Sequence, residues 1–308
     1  MNKKNKILIV GGTGFIGYNL SKACVKKNWL VTSVSSSKPR KDRKIKKVKY
    51  ILCDISKIDQ IKKKIIDQYR FVVNLGGHVD HKNKDKAYRS HYKGCKNLVD
   101  FFLKKNIKLF IQIGSSSENA GLRSPQTESL SGNPLNHYGR AKLLASKYFF
   151  KKKNKNLKFL IFRLYQAYGP YQDVNRFLPM LITSCLKKKR FHCSDGNQSR
   201  DFLFIDDLIS AFFMAFKNKS TEKRKIINIG SGKGIKLKNI INKTNTLLKG
   251  MKPNFGMVKL RKDEQKIIYP NIKNAYKILK WRPRISFEQG LARTIKYYKS
   301  IMKKQFVQ

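Results

Sequence analysis

Tyr138 and Lys142 stand four residues apart in the segment Tyr138-Gly139-Arg140-Ala141-Lys142, a spacing that puts both side chains on one face of a helix. A free tyrosine titrates at about pH 10, so a tyrosine that moves protons near neutrality needs a positive field beside it. The Lys142 ammonium is placed to supply that field. A second chemical group lies near the start, where the apolar run 7–10 enters Gly11-Gly12-Thr13-Gly14-Phe15-Ile16-Gly17 and an amphipathic segment follows. In that strand–loop–helix setting Gly11 permits a tight turn and Gly14 lets backbone amides approach a pyrophosphate. Gly17 lets helix and strand pack closely, and the helix N-terminus faces the anion. Gly11, Thr13, Gly14, Phe15, Ile16 and Gly17 are therefore expected to hold the phosphates of a dinucleotide.

The elements that must position these groups follow from the apolar pattern. Strand-length runs at 7–10, 30–34, 71–75, 109–113 and 159–164 alternate with helical segments at 15–26, 58–68, 90–104 and 138–150. Such alternation predicts an α/β fold, a Rossmann-like doubly wound parallel sheet covered by helices. A third strand, ahead of Asp54, is implied without defined ends. After Gly169 the alternation fades: a helix is expected at 177–186, an apolar stretch at 202–216, a strand at 226–229 and helices at 237–248 and 272–279. No element is assigned beyond Pro283. The expected division is a dinucleotide-binding domain over 1–168 and a smaller C-terminal α/β substrate lobe over 169–308, with about 201–230 returning to the first domain.

The chain has 308 residues and a formal charge of +51, from 69 Lys+Arg against 18 Asp+Glu. The lysines are spread in short runs along nearly the whole chain, whereas a nucleic-acid footprint concentrates on one face or tail. No specific nucleic-acid partner is expected, although the charge would attract an acidic substrate. Cys24, Cys53, Cys95, Cys185 and Cys193 show no metal spacing and form an odd set, which reads as reduced, packed thiols. No metal is expected: His78, His81, His137 and His192 read as surface or packing residues. The apolar run at the start is short and enters the glycine loop, unlike a secretory signal. No span approaches the ~20 apolar residues that cross a bilayer, so a cytoplasmic protein without membrane insertion is expected.

The glycine spacing is Gly-x-x-Gly-x-x-Gly, and with Tyr-x-x-x-Lys it resembles the extended short-chain dehydrogenase/reductase family, the nucleotide-sugar epimerases and dehydratases. The segments Gly114–Gly121, Arg163–Pro170 and Asp195–Phe202 are similar to further motifs of that family. The resemblance implies an enzyme in which Tyr138 transfers a proton, Ser116 hydrogen-bonds the reacting oxygen, and a nicotinamide exchanges hydride. It implies a second acid/base at Glu118, cofactor contacts at Asp54, Ile55, Leu75 and Gly76, and sugar contacts at Ser117 and Gln166. Phe177 would pass near the base, and Arg200, Arg261 and Glu264 would clamp the diphosphate and ribose. Departures from the family pattern stand at His91 and Gln166, each in place of Asn, and at Ala120, in place of Tyr.

For the cofactor, an acidic residue at the end of the second strand marks NAD, whereas small polar and basic groups suit NADP. Here Ser35 is followed by Lys38 and Arg40, which favours NADP(H), with NAD(H) as the alternative. The expected activity is an NADPH-dependent 4-ketoreductase of a deoxysugar nucleotide in polysaccharide biosynthesis. A 4-epimerase or dehydratase with tightly bound NAD is the alternative. A non-catalytic Rossmann binding module comes third, and intact Ser116, Tyr138 and Lys142 argue against it. Family members are often dimers, so a homodimer is a further expectation.

Overall fold

The structure is a computed structural model and describes residues 4–77, 83–152, 158–218, 224–260 and 264–305. Its strands are β1 (Lys6–Val10), β2 (Leu30–Ser35), β3 (Val48–Leu52), β4 (Phe71–Asn74), β5 (Leu109–Ser115) and β6 (Phe159–Leu164), followed by β7 (Gln166–Tyr168), β8 (Ser199–Arg200), β9 (Phe202–Phe204), β10 (Arg224–Ile229), β11 (Ile235–Lys236) and β12 (Ile267–Ile268). Among the described residues seven strands form one parallel sheet in the order β10-β6-β5-β4-β1-β2-β3. Every residue of β4, β5 and β6 is buried, because helices cover both faces, and the sequence there is apolar without alternation. The chain runs outward one way from β1 through β2 to β3 and the other way from β4 through β5 to β6. The crevice between β1 and β4 is the switch point at which open α/β sheets bind ligands.

The helices are α1 (Phe15–Lys26), α2 (Ile58–Lys64), α3 (Lys84–Ala87), α4 (Gly94–Phe102), α5 (His137–Lys151), α6 (Phe177–Leu186), α7 (Ile205–Lys217), α8 (Leu237–Leu248), α9 (Lys273–Leu279) and α10 (Phe287–Gln305). One layer, with α2, α4 and α5, buries Cys53, Cys95, Phe102, Phe110 and Phe149 against one face of the sheet. The opposite layer, with α1 and α7, is continuous with the packing around Leu178, Phe202 and Trp281. Trp29 stacks on Phe71 at 5.2 Å and meets Phe213 and Phe216, fixing α1 and α7 to β4. All five cysteines are buried, and none is in a disulfide. No helix among the described residues is long and apolar enough to cross a membrane.

Several elements depart from the sequence pattern. β3 is the outer strand, half-exposed and carrying Lys49, so it lacks the apolar run that betrays the central strands. The expected 58–68 helix stops at Lys64, where Ile65 turns inward and is buried. The expected 90–104 helix is instead α3, a π-helical turn over Tyr88–Lys93, and α4. The apolar stretch 202–216 divides into β9 and α7, and β10 pairs with β6 at the edge of the large sheet. α10, which the pattern left unassigned, buries Leu291, Ile295 and Tyr298.

Close packing between β1 and α1 depends on Gly17, where an added Cβ would lie 2.3 Å from the Gly11 carbonyl oxygen and 2.6 Å from the Gly12 Cα. Both are backbone atoms, so the strain cannot be relieved by a rotamer change. Gly17→Ala should destabilise the fold by about 1–3 kcal/mol, read as a lower thermal midpoint by circular dichroism.

Candidate active site

The glycine loop leaves β1 with Gly11 at φ +75°, a backbone that favours glycine. A Cβ at Gly11 would come within 2.9 Å of the Leu75 carbonyl group, so the loop lies directly on the segment that follows β4. At Gly14, by contrast, a Cβ would meet only the Gly11 carbonyl oxygen, at 3.3 Å. Gly14 is the N-cap of α1, and the first amides of a helix have no intrahelical acceptor. An open backbone at a helix N-terminus is a cradle that fits a pyrophosphate, with Thr13, Phe15 and Ile16 on the same turn. Gly76 donates its N–H to Asn74 Oδ1 at 3.0 Å, and buried Ile55 packs towards Gly76 and Gly94. The Asp54 carboxylate accepts the Ser56 N–H at 2.9 Å, which shapes the turn after β3 on the rim of this site.

At the end of β2 the Ser35 hydroxyl accepts the Thr13 N–H at 3.4 Å, tying it to the glycine loop. Lys38 is exposed, and Arg40 pairs with Asp42 and Asp173. The residue that sequence reasoning missed is Arg43. Only 4% exposed, it donates to the Thr13 carbonyl at 3.5 Å and to the Tyr171 carbonyl, and pairs with Asp173 at 2.7 Å. Its Nε is buried without a hydrogen-bond partner. In a chain this rich in basic residues nothing local distinguishes Arg43; only the fold brings it beneath the glycine loop.

α5 carries Tyr138 and Lys142 in its first turns. Asn136 caps it, accepting the Gly139 N–H at 2.7 Å. Tyr138 is half-buried, with the His91 ring edge-on to it at 4.9 Å. Lys142 is 4% exposed; its Nζ lies 5.9 Å from the centre of the Tyr138 ring and donates to the Ile113 carbonyl at 2.8 Å. A Cβ at Gly139 would stand 2.9 Å from the Ser117 carbonyl oxygen, so α5 packs directly on the serine loop that follows β5. Ser116 opens a short 3-10 turn of that loop and is half-buried.

Glu118 requires a correction. Expected as a second acid/base, it is wholly buried and turned into the protein, away from the cleft. Its carboxylate accepts the Ser115 N–H at 2.7 Å and the Ser146 hydroxyl at 2.7 Å, and pairs with buried Arg163 at 3.1 Å. Buried on these donors, its carboxylate braces the loop from within and has no surface in the cleft.

Beyond Ser116 a cleft of about 130 Å³ opens. Ser117 and Ala120 form one side; Gln166 and Tyr165, after β6, form another; and Arg200, Asp201, Glu264, Gln265 and Ile268 come from β8, the residue after it and the segment that leads into and through β12. Arg200 is 6% exposed and is joined by a hydrogen-bonded ion pair to Glu264. Asp201 accepts the N–H groups of Ser231, Gly232 and Lys233 and the Ser231 hydroxyl, fixing the loop after β10. Burial pushes its carboxyl up to about 6, against the pull of those donors. Asn136, Tyr165, Asp201, Gln265 and Ile268 were not among the expected site residues; Asp201 could have been found as the neighbour of Arg200. Phe177, expected near a base, does not line the cleft. Its ring packs on Phe191 and Phe202 at 6.2 and 6.0 Å. Arg261 lies outside the described residues.

A glycine loop at the switch point, a helix that carries tyrosine and lysine, and a cleft that bears an arginine define an enzyme of the extended short-chain dehydrogenase/reductase class. A family profile described as the NAD dependent epimerase/dehydratase family matches residues 7–230, and the chain belongs to that family of NAD-dependent enzymes that modify nucleotide sugars. It is 27% identical to a UDP-glucuronate 4-epimerase of Thermodesulfobacterium geofontis over 95% of both chains. It is 31% identical to a CDP-abequose synthase of Salmonella typhimurium, across 46% of this chain and 48% of that relative. Its fold superposes with a TM-score of 0.87, at 25% identity over 96% of this chain and 99% of the other, on a Bacillus cereus UDP-glucuronic acid 4-epimerase variant. That enzyme was solved with UDP-4-deoxy-4-fluoro-glucuronic acid and NAD.

Removing one partner of a buried ion pair leaves the other charge uncompensated, a loss of about 3–5 kcal/mol. Glu118→Ala should lose stability on that scale through Arg163, measured by urea denaturation.

Proposed function

We propose that this enzyme uses NADPH to reduce the 4-keto group of a nucleotide-activated deoxysugar, as a step towards a surface polysaccharide. The observation that carries the reading is Arg43 on Thr13, which itself meets Ser35, with Arg40 sharing Asp173 and no carboxylate on the end of β2 to accept ribose hydroxyls. A 2′-phosphate fits there by replacing Asp173 on two guanidinium groups, each able to bind bidentately. Gly11, Thr13, Gly14, Phe15, Ile16 and Gly17 would hold the pyrophosphate, with Asp54, Ile55, Leu75 and Gly76 lining the rest of the dinucleotide site.

Held there, NADPH would supply the hydride. Tyr138 gives its phenolic proton to the C4 oxygen as negative charge develops there, and Ser116 donates a second hydrogen bond to the same oxygen. The Lys142 ammonium stabilises the phenolate left behind. Arg200 binds the diphosphate once Glu264 moves from it to the ribose hydroxyls, with Arg261 as a second clamp. Ser117 and Gln166 contact the sugar, and Ala120 leaves room beside it. In this reading residues 1–168 bind the cofactor and 169–308 mainly the nucleotide sugar, with 201–230 returning to the first domain; a cytosolic homodimer belongs to the same proposal.

A second reading, a 4-epimerase that retains NAD through each cycle, is favoured by the full-length relative that carries that activity. Cofactor retention separates the two. The purified protein should release little NAD on denaturation and should bind NADPH more tightly than NADH in fluorescence titrations. It should consume NADPH with one of a panel of UDP- and CDP-linked 4-keto-6-deoxyhexoses. Stoichiometric NAD in the denatured extract, with interconversion of UDP-glucose or UDP-glucuronic acid without added cofactor, would replace reductase by epimerase.

Arg43→Ala should weaken NADPH binding by about 2 kcal/mol, roughly 30-fold, and leave NADH binding within a few-fold of wild type. Ser35→Asp should reverse the preference between the two cofactors. An equal loss for both cofactors in Arg43→Ala would place Arg43 in the scaffold alone. Tyr138→Phe should bind both cofactors as wild type does yet show no turnover, because the ring remains and its transferable proton is gone.

A further inference from the structure

We propose that Gln112, held by Asn74, is a positioning residue for the catalytic lysine, anchoring Lys142 through the Ile113 carbonyl. The inference rests on the reading of Lys142 as a catalytic group. β5 is buried along its whole length, and Gln112 sits among Phe110, Ile111 and Ile113, where an aliphatic side chain would cost nothing in desolvation. At 2% exposure its amide needs partners, and it has them. Oε1 accepts from Asn74 Nδ2 at 2.7 Å and from the Cys95 thiol at 3.2 Å, while Nε2 donates to the Ile113 carbonyl at 3.0 Å. The amide can face only this way, because the Ile113 carbonyl accepts and the thiol here donates.

Asn74 and Gln112 form the last register pair between β4 and β5, and β5 runs on for three residues beyond it. The Ile113 carbonyl just past this pair receives the Lys142 ammonium as well as the Gln112 amide. At the other end of the network Asn74 Oδ1 accepts the N–H of Gly76, next to the Leu75 carbonyl on which the glycine loop lies. A continuous buried chain thus runs from the cofactor side of the sheet to the lysine. A lysine on a flexible four-carbon stem has no orientation of its own. Fixing one of its three N–H donors to a braced carbonyl commits the other two to the site.

Gln112→Met keeps the shape and deletes the hydrogen bonds. With NADPH and the 4-keto sugar on which the wild type turns over, kcat should fall by about tenfold to a hundredfold. The sugar KM should stay within about twofold, since ground-state binding is untouched. The solvent deuterium isotope effect on kcat should rise above that of wild type, because proton transfer becomes the slow step; a smaller folded fraction would leave that ratio unchanged. Gln112→Leu serves if the Met variant melts below assay temperature. It deletes the same hydrogen bonds with a stiffer apolar side chain and should show the same pattern. Lys142→Met is the control. If it turns over like wild type, the catalytic reading of Lys142 falls. If Lys142→Met is inactive while the folded Gln112 variants keep wild-type kcat and isotope effect, only the positioning role is overturned.

Discussion

The buried ion pair between Glu118 and Arg163 holds together the three elements on which the candidate site depends. Glu118 belongs to the loop after β5, Arg163 to β6, and Ser146, which also donates to Glu118, to the helix that carries Tyr138 and Lys142. Two charges removed from water are costly unless geometry and extra hydrogen bonds compensate. The Ser115 N–H and the Ser146 hydroxyl provide those bonds. Gly114 completes the arrangement, since a Cβ there would stand 2.5 Å from the Glu118 carboxylate. Fixing the loop from beneath leaves Ser116 and Ser117 on its upper side, where the cleft begins.

The acidic residues have distinct interior work in a chain with 18 of them against 69 basic ones. Glu118, Asp201 and Asp207 are buried. Asp201 ties down the loop after β10, and Asp207 accepts the N–H groups of Arg284 and Ile285, fixing the approach to α10. Asp173 and Glu264 each sit on an arginine of the proposed binding sites. The large positive excess is a property of the exterior, where lysine keeps its charge in water. The few carboxylates organise backbone donors and guanidinium groups inside.

Asp173 also joins segments far apart in the chain. It lies between β7 and α6 and reaches Arg40 and Arg43 between β2 and β3. The neighbouring Tyr171 ring packs on Tyr18 of α1 and Tyr297 of α10 at 4.6 Å each. The segment after β7 is therefore braced against Arg43, the first helix and the last.

The amino-acid sequence by itself determined the parallel sheet, the glycine loop and the tyrosine–lysine helix. Each is written in short-range signals: mostly apolar runs without alternation for β4 to β6, a strand running straight into Gly11–Gly17, and the four-residue spacing of Tyr138 and Lys142. β3 and α10 were less legible, since an edge strand with a lysine in it carries little of the apolar signal and a late amphipathic helix had no motif to mark it. What a side chain faces is not a local property, and there the tertiary structure decided. Glu118 follows three serines in a loop that reads as catalytic, and only the placement of Arg163 and Ser146 beneath it turns its carboxylate inward. Phe177 packs on rings 14 and 25 residues away along the chain. Arg43 and Gln112 are one basic residue among 69 and one amide in an apolar strand. Their contacts exist only because the fold brings Thr13 and Asp173 to Arg43, and Asn74 to Gln112, with Lys142 on the Ile113 carbonyl that Gln112 also meets; no spacing along the chain encodes them.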